Sequence, residues 1–111
     1  MGEGVDCQVI WTEPALADLA RLLDERVDWS VSSAEQLGRQ ILHRIRLLEQ
    51  FPELGPVYRP ANSAMIRTLT CHPYRIFYEI QSGSPTIHIH HLRHGAREEP
   101  VAGQDFPTPL A

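Results

Sequence analysis

The hydrophobic period of this 111-residue chain changes once, at Phe51-Pro52-Glu53-Leu54-Gly55, and so divides it into a helical half and a sheet-forming half. Before that point Leu16, Leu19, Leu23 and Val27 recur at three- and four-residue steps, with Ala20 beside them. Asp18, Arg21, Glu25 and Asp28 take mostly the opposite side, so the spacing predicts one amphipathic helix over 13–29. Thr12 offers its side-chain oxygen as the N-cap, and Pro14 falls in the first turn, where its missing N–H costs nothing. Ser32 and Glu35 stand at capping-box spacing for a second helix. Its stripe is Leu37, Ile41, Ile45 and Leu48, widened by Leu42 and Leu47, with Arg39, Arg44, Arg46 and Glu49 on the wet side. Pro52 and Gly55 end it. Very few residues join the two helices, which therefore pack antiparallel as a hairpin.

An apolar run, Val9-Ile10-Trp11, reads as an opening strand, and Val57 to Ser63 as a loop. Met65 to Cys71, Tyr74 to Ile80 and Thr86 to Leu92 are strand-like and separated by His72-Pro73 and Ser82-Gly83-Ser84-Pro85. The order β-α-α-β-β-β predicts an α+β domain, an antiparallel sheet with the helical hairpin on one face. Tyr74, Ile76, Tyr78 and Ile80 then face the helices, and Arg75, Phe77 and Glu79 face away. The chain is read as a single domain with its core over about 8–98 and a loose tail over 99–111.

Size and charge narrow the function. A chain of this length buries roughly two-thirds of its unfolded surface, enough for one core but not for a second domain or a large cofactor cleft. Hydrophobic content of 42% with 22% charged residues excludes disordered and fibrous classes. No apolar run approaches the ~18 residues of a membrane span, and the acidic start lacks the features of a signal peptide. Cys7 and Cys71 have no metal-ligand spacing and are read as thiols, so the expected compartment is the cytoplasm. The net charge of −4 argues against wholesale electrostatic binding of nucleic acid. Basic character is concentrated in residues 61–97, where Arg67, Arg75, Arg93 and Arg97 stand against one acid, Glu79. All ten bases are arginine, which excludes lysine as general base, Schiff base or phosphate anchor.

Several side chains are candidates for chemistry. His88 and His90 share a strand face, but no third ligand stands at compact spacing, and no metal site is assigned. Arg75 and Phe77 on the helix-free face suit contact with a partner or a phosphate. Gly95 lets the chain turn so that Arg97 can join Arg67, Arg75 and Arg93 there. No nucleophile elbow or phosphate loop is present, and no cysteine stands with a histidine at motif spacing.

With these residues in place the chain resembles the RelE/ParE superfamily of toxins from type II toxin–antitoxin systems, over roughly residues 9 to 98. The resemblance rests on Trp11-Thr12-Glu13-Pro14-Ala15 with Asp18-Leu19, on Phe51-Pro52-Glu53-Leu54-Gly55, on Tyr74-Arg75-Ile76-Phe77-Tyr78 and on His94-Gly95-Ala96-Arg97. It implies one of two activities. RelE-like members cleave messenger RNA on the ribosome, using basic side chains on the scissile phosphate and often a late tyrosine. ParE-like members poison DNA gyrase and catalyse no reaction of their own. Arg75 and Arg97 match the family's arginines, with His91 or His94 as a possible acid or base in a nuclease. The nuclease lysine positions fall on Ile66 and Thr68, and the late tyrosine position falls near Gly103. The resemblance is therefore closer to ParE-like members and implies no cofactor, no membrane and gyrase as target. RNA cleavage on the ribosome, or a degenerate interaction module, is the alternative. It also implies a cognate antitoxin in a hetero-oligomer, with Leu22, Trp29, Leu42 and Leu47 as candidate contacts.

Overall fold

The computed structural model describes residues 7–58, 65–81, 83 and 86–95. The elements are β1 (Gln8–Trp11), α1 (Glu13–Val27), α2 (Val31–Gln50), β2 (Val57–Tyr58), β3 (Ile66–Cys71), β4 (Tyr74–Ile80) and β5 (Thr86–His94). They form a five-stranded sheet in the order β1-β5-β4-β3-β2, and the two antiparallel helices pack on one face. The α+β layout agrees with the sequence, but the sheet is mixed. β1 lies parallel to β5, with Gln8 opposite Thr86 and Trp11 opposite Ile89, while the other pairs are antiparallel. Periodicity finds a strand and says nothing of its direction when the partner is nearly eighty residues away. The expected loop over 57–63 is also interrupted: Val57 and Tyr58 pair with Arg67 and Ile66. Residues 59–63 and the tail over 99–111 lie outside the described residues.

Thr12 caps α1 as expected, its Oγ1 accepting from the Ala15 N–H at 3.3 Å and donating to the Ile89 carbonyl at 2.7 Å. The helix is turned from the predicted stripe, however. Ala15, Asp18 and Leu22 are buried, Leu19 and Leu23 are half-buried, and Leu16 and Val27 are exposed. Leucines on two sides of α1 made the periodicity ambiguous, and Asp18 decides the rotation through contacts described below. The cap of α2 is Ser30, in extended conformation, whose Oγ accepts from the Ser33 N–H at 3.0 Å. The Ser32–Glu35 box does not form, because the helix begins at Val31 and Ser32 already lies within its first turn. The stripe Leu37, Ile41, Ile45 and Leu48 is buried as predicted.

Helix and sheet meet in a core that includes Leu22, Ile41, Leu48, Ile76, Tyr78, Ile87, Ile89 and Leu92, and each aliphatic side chain there contributes about 1.5–3 kcal/mol by leaving water. On the far face Ile66 and Phe77 form a smaller cluster with Tyr58, whose ring meets that of Phe77 edge-on at 5.0 Å. The turn after α2 is tied to the sheet by Tyr78, whose hydroxyl donates to the Pro52 carbonyl at 2.8 Å and accepts from the Gly55 N–H at 2.9 Å. A Cβ at Gly55 would collide with the Thr68 carbonyl oxygen, which gives the glycine of Phe51-Pro52-Glu53-Leu54-Gly55 a steric reason.

Candidate functional site

The pairing of β4 with β5 slips between Phe77 and Tyr78, so that Phe77 faces His91 and Tyr78 faces Ile89, with His90 as the extra residue. β1 ends at Trp11, opposite Ile89, so the part of β5 beyond the bulge has no strand on its outer side. Asp18 of α1 takes that place. Its Oδ2 accepts from the Leu92 N–H at 3.0 Å, lies 2.9 Å from His91 Nδ1 and accepts from Arg93 Nη1 at 2.6 Å. Burial raises the Asp18 pKa, but the bonds from His91 and Leu92 and the Arg93 charge outweigh it, and the carboxyl titrates below its ordinary value.

These contacts correct the expected arginine cluster. Arg93 does stand opposite Arg75 in the β4–β5 register, but its guanidinium is tied to Asp18 at the edge of β5. Arg67 pairs with Tyr78 in the β3–β4 register and so lies on the helix side of the sheet, not on the open face. Its guanidinium donates to the Gly55 carbonyl at 2.8 Å and the Glu53 carbonyl at 3.4 Å, holding the turn after α2. Arg97 lies outside the described residues. Arg75 does occupy the helix-free face, with its guanidinium carbon 5.0 Å from the Phe77 ring centroid and 5.7 Å from that of Tyr58. Phe77 is no surface contact: it is 0% exposed, since β2 brings Tyr58 against it and Arg75 lies over it.

The histidines divide similarly. His91 is buried against Asp18. His90 Nε2 lies 2.9 Å from Glu79 Oε1, and burial is the larger influence, holding the imidazole pKa below its ordinary value despite that carboxylate. This contact also occupies Glu79. The His88 and His90 rings are 6.3 Å apart, and no group of three metal-ligating side chains occurs among the described residues. His94 meets the Tyr74 ring edge-on at 5.6 Å. It lines a cleft of about 470 Å³ with Arg75, Thr70 and Gly95. Gly95 permits that approach, since a Cβ there would stand 3.3 Å from the Pro73 carbonyl oxygen and 3.7 Å from Arg75 Cγ. Arg75 and His94 are thus the pair from the expected set that the fold brings into one cleft.

On the helical side, Leu22 is 1% exposed and belongs to the core, so the rotation of α1 removes it from the candidate contacts. Trp29 is 87% exposed at the tip of the hairpin, Leu42 is exposed and Leu47 is half-buried. Val27 and Val31, beside Trp29, are exposed as well; sequence reading missed Val27 because an apolar residue on a stripe is assigned to the core, and Val31 because it falls between the two predicted helices. Asp18 was missed for the converse reason. No helix among the described residues is long and apolar enough to cross a membrane.

The described sheet and hairpin have counterparts among known proteins. Residues 9–99 match the model of a family described as the ParE toxin of the type II toxin–antitoxin system parDE. Toxin RelE2 of Caulobacter vibrioides is 32% identical over 90 residues, covering 81% of this chain and 97% of its own. Two solved structures share the fold. The chromosomal ParDE toxin–antitoxin system of P. aeruginosa does so with a TM-score of 0.67 and 21% identity, over 82% of this chain and 98% of that one. The toxin–antitoxin complex RelBE2 of Mycobacterium tuberculosis does so with a TM-score of 0.56 and 23% identity, over 81% and 99%. By its family match and its related toxin, this chain belongs to the ParE toxin family of type II toxin–antitoxin systems, within the RelE/ParE superfamily.

Proposed function

We propose that the chain inhibits growth by binding and poisoning DNA gyrase, in the ParE manner, and that a cognate antitoxin neutralises it. The observation that carries this reading is where the basic side chains go. Arg67 holds backbone carbonyls on the helix side and Arg93 holds Asp18, and the chain has no lysine. Cleaving a phosphodiester requires groups that transfer protons and stabilise developing charge, each worth roughly 10²–10³ in rate. Among the described residues the open face offers Arg75, set over two aromatic rings, with Arg93 opposite it but held by Asp18, while His94 pairs with Tyr74 and meets Arg75 only in the cleft at the strand end. A surface that binds a protein target needs no such assembly. The antitoxin contacts on this reading are Trp29, Leu42 and Leu47, three of the apolar side chains that the hairpin leaves wholly or partly uncovered.

The test adds purified chain to gyrase in a DNA supercoiling assay, with transcript integrity followed in a translating extract. Loss of supercoiling with intact transcripts is the expected result. Unchanged supercoiling at large excess together with cut transcripts would replace the proposal with ribosome-dependent RNA cleavage. That second reading draws on the relative named Toxin RelE2 and on the cleft shared by Arg75 and His94. Unimpaired growth on expression without antitoxin would leave an interaction module.

A further inference from the structure

A groove of about 770 Å³ runs between α2 and the β3–β4 turn, away from the open face of the sheet. Its α2 wall extends from Ser32 to Arg44, about 18 Å at 1.5 Å per residue. Arg39, His43 and Arg44 line that wall, and Cys71 and His72 close the other side. No carboxylate of a described residue lines the groove, and none pairs with Arg39 or Arg44. In a chain with fourteen acids against ten bases, an elongated groove whose described lining has two arginines and no acid is a local reversal of sign.

We infer that this groove binds an extended acidic segment of a partner protein, with its carboxylates on Arg39 and Arg44. The two arginines are five residues apart, a rise of about 7.5 Å along the helix, and although they leave it about 140° apart around its axis both reach the groove. Carboxylates at alternate positions of an extended segment are spaced by about 6.7 Å, which long arginine side chains can match. Guanidinium–carboxylate pairing of this kind is charge-assisted and often bidentate. A nucleic-acid strand fits less well. Two arginines neutralise only about two phosphates, and strand binding draws its affinity from many such contacts. Among the described residues that line it, the groove also has no tyrosine, tryptophan or phenylalanine on which bases could stack. The inference goes beyond the toxin reading and holds whichever target the chain acts on.

Fluorescence anisotropy with the full chain tests it. The probe is a labelled ten-residue peptide of serine and alanine carrying glutamate at three alternate positions. The references are the same peptide with glutamine and a single-stranded ten-nucleotide DNA. The glutamate peptide is expected to bind at least tenfold more tightly than the glutamine peptide. The double variant Arg39→Gln/Arg44→Gln, both at exposed positions, is expected to abolish that difference with an unchanged urea midpoint. Arg46→Gln, exposed and outside the groove, is expected to leave it intact. Equal affinity for the two peptides, no binding of the glutamate peptide at millimolar concentration, or full binding by the double variant would overturn the inference. Tighter binding of the oligonucleotide would replace it with a nucleic-acid site.

Discussion

Replacing Asp18 with asparagine tests the role of the carboxylate at the edge of β5. One oxygen of that side chain meets His91 Nδ1, the Leu92 N–H and Arg93 Nη1, all within 3.0 Å. The amide in Asp18→Asn retains an acceptor for the Leu92 N–H but loses the charge that Arg93 requires. Removing one member of a buried pair costs about 3–5 kcal/mol, and a single charge-assisted bond contributes about 1.5–3 kcal/mol. The Arg93 side chain keeps 15% exposure and can recover some water, so the expected loss is about 2–3 kcal/mol. With a urea dependence of roughly 1–3 kcal/mol per molar, the midpoint should fall by about 0.7–3 M. The pH profile supplies a second reading. The folded pKa of Asp18 lies below the unfolded value of about 3.9, so its contribution is complete above that value and is lost as pH falls through the folded pKa. Asp18→Asn should remove this part of the acid limb, and a double-mutant cycle with Arg93→Gln should give a coupling of at least about 1 kcal/mol. A midpoint within 0.3 M of the parent (roughly the ordinary scatter of surface substitutions), with the acid limb unchanged, would refute the reasoning.

Other predictions follow from the same contacts. Tyr78→Phe removes the partner of the Pro52 carbonyl and the Gly55 N–H, and should cost about 1–3 kcal/mol by urea unfolding. Trp29→Ala, at an 87% exposed position, should leave stability within about 0.5 kcal/mol yet weaken antitoxin binding at least tenfold in calorimetry. His90 has a folded pKa below its ordinary value of about 6.5, so the unfolded chain protonates first and stability declines as pH falls from that value toward the folded one. In His90→Gln the stability measured through that window should be flatter.

Much of the architecture is legible in the residues because each element carries its own local signal. The α2 stripe, the Thr12 cap and the alternation of Tyr74 to Ile80 are examples. What the residues conceal depends on pairing. The side of the sheet that Arg67 occupies follows from its register with Tyr78, and the bulge at His90 is a property of two strands together. Asp18 is an ordinary solvated acid by periodicity. It becomes a buried one because β1 ends before β5 does, leaving an N–H in need of an acceptor. The candidate site was harder to read for the same reason: register carries Arg67 to the helix side, and it sets Arg93 opposite Arg75 only for Asp18 to draw the Arg93 guanidinium to the edge of β5.

The placement of the last strand bears on how the molecule comes into being. β5 lies between β1 and β4, and its outer edge is met by α1, so the first and last quarters of the chain interlock in one layer. A polypeptide halted near residue 80 would have no seat for its first strand and no anion-bound edge. Synthesis would therefore complete the described sheet, and the seat of its first strand, only once β5 had arrived.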